Sequence, residues 1–418
     1  MSKKTKSIVS VAVIVCLLIT CLWFSQRLLM PKYISEIIEG RLISEYYDNA
    51  GGNDVMFIGD CECYENISPI TLWEDYGITS YIRGSAQQLI WQSYYLMEET
   101  LKYEKPDVFV FNVLSMKYGE PQNEAYNRMS IDGMKPSMSK WKNVMASMTD
   151  EESAISYVFP LLRYHSRWNE LSAEDVRYMF DTKKSFHQGY LMRMDVRPVT
   201  TYPSKTPLAD YQLPETCYKY LDKMVKLCED NGIKLVLMKA PSIYPVWYDE
   251  WDAQIVKYAD EHGLLYINFL DKLDEAGIDF NTDTYDNGLH LNTPGSEKLA
   301  KYFGKILQDT YGLTDHRSEP DTAAVWAEKV KFYNDMKEDQ LWELDEYGYL
   351  KSYGGRPVEA EAAAEPAEAD AAADAAEADG GVQQDSDGGE AGAAGEAGEG
   401  EPAGAEDLAD GGQNADAG

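Results

Sequence analysis

Short apolar runs separated by stretches of helical spacing constrain this chain more than any other feature. Asp54 to Ile58, Thr79 to Ile82, Val108 to Val113, Lys234 to Met238 and Leu264 to Phe269 each read as a strand. They are apolar along most of their length instead of alternating, the pattern of strands covered on both faces. Ala86 to Tyr103, Pro214 to Asn231, Asp249 to Gly263 and Pro294 to Tyr311 carry apolar residues at helical spacing. Strands alternating with such helices predict parallel βαβ units, and so an α/β fold in three layers, helices on both faces of a parallel sheet. Between Leu114 and Pro214 the rhythm is lost. A structureless insertion of that length is improbable in a compact domain, so mostly helices are expected across about 115–213, forming a lid or side wall.

The two ends of the 418-residue chain are of a different kind. Lys3, Lys4 and Lys6 precede Ser7 to Phe24, eighteen residues without a charge, and Arg27 follows. At about 1.5 Å per residue this run covers about 27 Å, close to a hydrocarbon core of about 30 Å. No small-x-small cleavage pattern follows it, which favours a membrane anchor over residues 1–30 rather than a removed leader. Basic residues before the span predict a cytoplasmic N-terminus and a domain outside the cell membrane. A helix is expected from Pro31 to Asn49 in a juxtamembrane segment 31–52, lifting the domain off the membrane. The α/β domain is expected over 53–315, and a helical extension over 316–356. From Pro357 to Gly418 there are 18 acidic residues and no basic ones, with almost no large apolar side chain, so this tail lacks the surface to fold. The net charge is −33, and without the tail 53 acidic residues face 38 basic ones. That balance excludes nucleic acid as a partner on electrostatic grounds.

Two stretches carry the chemistry. Val55 to Ile58 runs through Gly59-Asp60 into Cys61, a thiol at the mouth of the sheet, where ligands of open α/β folds bind. Far downstream, Tyr285-Asp286-Asn287-Gly288-Leu289-His290 precedes Leu291-Asn292-Thr293-Pro294-Gly295 and a helix. Cys61 as nucleophile, His290 as base and Asp286 as orienter would make an acyl-transfer set. Of six cysteines, Cys16 and Cys21 lie in the span, and Cys217 and Cys228 are eleven apart on one helix, too far to bridge. Cys61 and Cys63 are cramped for a disulfide, which weakens a thiol-redox reading. His and Cys show no convincing metal-ligand spacing elsewhere, and no Gly-rich phosphate motif occurs, so neither a metal nor a cofactor is expected.

Gly59-Asp60-Cys61 after the first strand, with a late Asp-x-x-x-His before the last helix, resembles the SGNH/GDSL hydrolase superfamily, with Cys61 where that family has its serine. The resemblance covers Asp54 to about Tyr311, interrupted by the insertion. It is strongest to the membrane-anchored, extracytoplasmic members that act in O-acylation of cell-surface polymers. It implies a flavodoxin-like, SGNH-type α/β/α domain and an esterase or O-acyltransferase acting on acyl groups, acetyl first among them, of a cell-surface polysaccharide. It also implies a membrane-bound O-acyltransferase as partner.

The family's aspartate stands three residues before its histidine, where this chain has Asn287; Asp286 lies one further back, and Asp283 is another candidate. Asparagine orients an imidazole but cannot neutralise its cation. For the oxyanion the resemblance implies the Cys61 N–H, Gly84 after the second strand and Asn112 at the end of the third. A thiolate is an intrinsically better nucleophile than a serine hydroxyl, and pairing with His290 would populate it. The competing expectation is a domain that kept the fold and lost the chemistry, binding polysaccharide or serving assembly.

Overall fold

The computed structural model describes residues 3–30, 39–180 and 187–353. The acidic tail, the first part of the expected juxtamembrane helix and the last residues of the helical extension lie outside the described residues. Five strands, β1 Val55–Gly59, β2 Ser80–Gly84, β3 Val108–Asn112, β4 Lys234–Lys239 and β5 Leu265–Asn268, form one sheet in the order β2-β1-β3-β4-β5. Every pairing is parallel, with Val55 opposite both Ser80 and Val108, and Asn112 opposite Met238. This is the doubly wound 2-1-3-4-5 order, in which the chain leaves β1 in one direction and resumes at β3 in the other. The expected three-layer α/β fold is present.

Chain order explains the layers. α1 (Lys3–Leu29) is long and apolar enough to cross a membrane. α2 (Glu39–Asn49) buries Leu42 and Tyr46 beside β2, with the Tyr81 hydroxyl donating to Leu42 O at 3.3 Å, and Ile43 against Leu96 and Met134, so this helix packs into the domain. α3 (Cys61–Tyr64) and α4 (Pro69–Tyr76) follow β1, and α5 (Ile90–Thr100) follows β2. The insertion then runs through α6 (Glu124–Ile131), α7 (Met138–Ser147), α8 (Ala154–Val158), α9 (Leu161–Tyr164) and α10 (Ala173–Phe180). α11 (Glu215–Asn231), α12 (Asp249–His262), α13 (Leu273–Ala276), α14 (Thr293–Tyr311) and α15 (Pro320–Tyr347) complete the chain.

Strand residues alternate between two cores because successive side chains point to opposite faces. Val55, Phe57, Val108, Val110 and Val236 pack with Leu299 and Phe303 of α14, and Met56, Ile58, Phe109, Phe111 and Leu235 pack with Trp91 of α5 and Leu221 of α11. α15 closes the first side, its Trp326 stacked on Trp73 of α4 at 5.0 Å. After the insertion the chain returns along the open edge of β2. There Gln188 O accepts from Ile82 N at 2.9 Å and Gln188 Nε2 donates to Ser80 O at 3.0 Å, covering what would otherwise be a bare strand edge.

Candidate active site

β1 and β3 are the neighbours at which the winding reverses, and their carboxyl ends open the crevice where such folds place ligands. Cys61 stands there as the first residue of α3, immediately after β1. Gly59 makes the approach possible: a Cβ on it would sit 2.9 Å from Asn112 Cβ and 3.1 Å from Cys63 Cβ. Cys61 is partly exposed, whereas Cys63, two residues on, is wholly buried in the core. As the first residue of α3, Cys61 carries an N–H that has no partner within the helix.

His290 arrives on the loop before α14. Its Nδ1 lies 2.6 Å from Asp286 Oδ2, and its backbone N–H donates to Asp286 Oδ1 at 2.7 Å. The intervening residues account for the extra position: Asn287 and Gly288 both take left-handed backbones (φ 65° and 95°), which folds Asp286 back under the ring. Thr284 pins the loop, its hydroxyl donating to His290 O at 2.7 Å and accepting from Gly288 N at 2.8 Å. With Nδ1 committed to Asp286, the buried Nε2 makes no hydrogen bond. The Cys61 thiol lies beside this ring, close enough for each group to shift the ionisation of the other.

The other sequence-derived residues divide. Asn287 turns away, its Oδ1 accepting from Thr200 N at 2.9 Å. Asp283 is committed to Lys298 at 2.6 Å and to the Asp279 N–H at 2.7 Å. Gly84 ends β2 beside Gly59, and a Cβ there would meet Gly59 O and the Tyr64 ring at 2.9 Å. Asn112 is tied to the exit of β1: its amide nitrogen donates to Asp60 at 2.9 Å and to Glu62 at 3.1 Å, which occupies both hydrogens. Its Oδ1 accepts from Ala240 N at 3.2 Å.

Sequence reasoning did not anticipate the polar network under Cys61. Glu62 and Lys239 are fully buried and paired at 2.8 and 2.9 Å, and Lys239 also donates to Ala240 O at 2.9 Å. Asn66 ties three segments together, donating to Ser242 Oγ at 3.1 Å and accepting from Leu291 N at 2.7 Å. Glu65 lies 3.6 Å from His290 Nδ1 and receives the Tyr285 hydroxyl, so a second carboxylate flanks the imidazole.

These neighbours set the charges. Burial opposes the cation on His290, but the Glu65 carboxylate, the Cys61 thiolate and the Asp286 carboxylate outweigh it and hold its pKa well above the ordinary histidine value. Burial pushes the Cys61 thiol up to about 11, with His290 pulling the other way. Burial and the adjacent Glu62 raise Asp60 to about 7. Among the described residues no group of three or more His, Cys, Asp or Glu side chains is placed to hold a metal ion.

No protein-family model matches the sequence, and neither does any curated protein. Among solved structures, the chain is similar to a protein of Desulfitobacterium hafniense named for the G-D-S-L lipolytic family, with 15% identity, 61% of this chain and 100% of that one covered, and a TM-score of 0.31. It is also similar to a protein of Bacteroides fragilis named as an acylhydrolase, with 11% identity, coverage of 64% and 94%, and a TM-score of 0.32. At such scores the function has to be argued from the site itself.

Proposed function

We propose that this chain is a membrane-anchored, extracytoplasmic esterase or O-acyltransferase of SGNH type, acting on acyl groups, acetyl first among them, of a cell-surface polysaccharide. The observation that carries this reading is the His290 ring, fixed on Asp286 through Nδ1, with Nε2 unbonded and Cys61 beside it at the reversal point of the sheet. Nε2 takes the thiol proton as Sγ bonds to the acyl carbon. The protonated ring returns a proton to the departing sugar hydroxyl, leaving a thioester on Cys61. A water or a second hydroxyl, deprotonated by His290, then attacks the thioester and restores the thiol, giving hydrolysis or transfer. The developing oxyanion falls to the Cys61 N–H, with Gly84 alongside, since the Asn112 amide is already engaged. The apolar α1 supports the anchor, the lysines before it support an extracytoplasmic domain, and a membrane-bound O-acyltransferase is the partner that would supply the acyl group.

A second reading is favoured by the burial that pushes the Cys61 thiol up to about 11 and by the upward shift of His290 beside Glu65 and Asp286: a non-catalytic polysaccharide-binding or assembly module. The full chain in detergent, assayed on a chromogenic acetyl ester, separates the two. Cys61→Ala is expected to lower kcat/KM by about a thousandfold or more, with Cys61→Ser retaining part of the rate. No turnover by the unaltered chain between pH 7 and 9, with polysaccharide binding intact, would establish the module instead. Alkylation of Cys61 by iodoacetamide should change on His290→Ala; an unchanged rate would uncouple the pair.

A further inference from the structure

The insertion turns large apolar side chains outward where the chain meets α1. Phe159, Leu162, Trp168, Val176 and Phe180, on and between α8, α9 and α10, are about half or more exposed, Trp168 at 72% and Phe180 at 76%. A cluster of this kind on a folded surface marks a contact with something apolar. The same region grips the end of α1. Arg27 Nε donates to Met179 O at 3.2 Å, Arg167 donates to Leu29 O at 3.0 Å, and α9 and α10 pack along the helix.

Depth follows from helix geometry. The uncharged run ends at Phe24, so Arg27 and Leu29 lie about 5 to 8 Å further along at about 1.5 Å per residue. A headgroup layer is about 5 to 8 Å thick on each side of the hydrocarbon. The two hydrogen bonds therefore fasten the insertion at headgroup depth, with its apolar residues beside the span. Tryptophan suits that layer, where an apolar ring and a wet surface meet, and phenylalanine suits the acyl boundary just beneath it.

We propose that this face of the insertion lies in the bilayer interface, with Trp168 and Phe180 among the lipids, a contact that rests on the reading of α1 as a membrane span. The occupant is lipid because the face is continuous with the span. The body of the domain, acidic overall, gains nothing from anionic headgroups, so apolar insertion carries the contact. The contact holds the domain at a fixed height and tilt and leaves the Cys61 crevice one accessible depth.

The test uses the full chain reconstituted in phosphatidylcholine vesicles doped with lipids brominated near the headgroup or near the bilayer centre. Trp168→Phe should remove roughly half of the tryptophan quenching by the shallow bromines, with Trp23 carrying the remainder, and should leave quenching by the central bromines unchanged. Trp342→Phe, at an exposed tryptophan on α15, should change neither. No loss with Trp168→Phe, or an equal loss with Trp342→Phe, overturns the proposal. Alkaline carbonate washing reports the span separately. Retention of the protein through the wash without a Trp168 effect would sink the interfacial contact alone and assign the face to another protein, whereas extraction would sink the span.

Discussion

Phe57 on β1 and Phe159 in the insertion have the same chemistry and opposite surroundings. Phe57 is wholly enclosed, its ring edge-on to Phe303 at 6.1 Å, while about half of Phe159 is open. The contrast runs through both regions. β1, β2 and β3 are buried along their whole length, whereas the insertion packs Ile131, Val144 and Tyr157 into a small core of its own and leaves larger residues outside it. Apolar content therefore serves two ends in one chain, cohesion in the sheet and outward contact in the insertion. Composition alone does not separate them.

The largest expected effect sharpens that contrast directly. Phe57→Ala should cost about 3–5 kcal/mol of unfolding free energy, measured by urea titration in detergent. Cutting the buried pair comes next: Lys239→Met strands the Glu62 carboxylate and should cost about 3 kcal/mol or more. The double change Lys239→Met with Glu62→Leu should recover much of that loss, because the uncompensated charge is gone. If the single and double variants are equally unstable, packing rather than charge holds this corner.

A smaller effect concerns pH. His290 must be neutral to act as base, and its pKa is raised, so kcat/KM should climb on the alkaline side of neutrality. Glu65→Gln removes one flanking charge and should move that limb towards lower pH by about one unit. The stability linkage has a definite sign. A histidine with a raised folded pKa contributes stability that is complete below its unfolded value of about 6.5 and is lost as pH rises through the folded value. His290→Asn should therefore flatten the decline of stability on the alkaline side. The smallest effect belongs to the insertion, where Phe159→Ser should stay within about 0.5 kcal/mol. A loss as large as that of Phe57→Ala would erase the contrast between the two regions.

Much of the fold was legible because each strand is a short apolar run between breakers, and β1 to β5 lie within a residue or two of the expected spans. Cys61 and His290 could be paired because Gly59-Asp60 ends a strand and Thr293-Pro294 opens a helix, both local signals. Glu65, Asn66 and Lys239 were not legible. Their partners lie more than 170 positions away, and nothing local marks a charge that will be buried against another. The sequence points to Asp286 because asparagine cannot neutralise an imidazolium, but the left-handed turn at Asn287-Gly288 that seats the carboxylate on Nδ1 is not visible in the spacing. The insertion could be foreseen only as mostly helical, since its apolar residues follow no single buried face.

The exit of β1 is braced from beneath by Asn112 and by the Glu62–Lys239 pair, and from the side by Asn66. A sulfur mounted on so stiff a post has little travel of its own. In the proposed reaction the acyl carbonyl therefore has to be carried to the sulfur by the substrate.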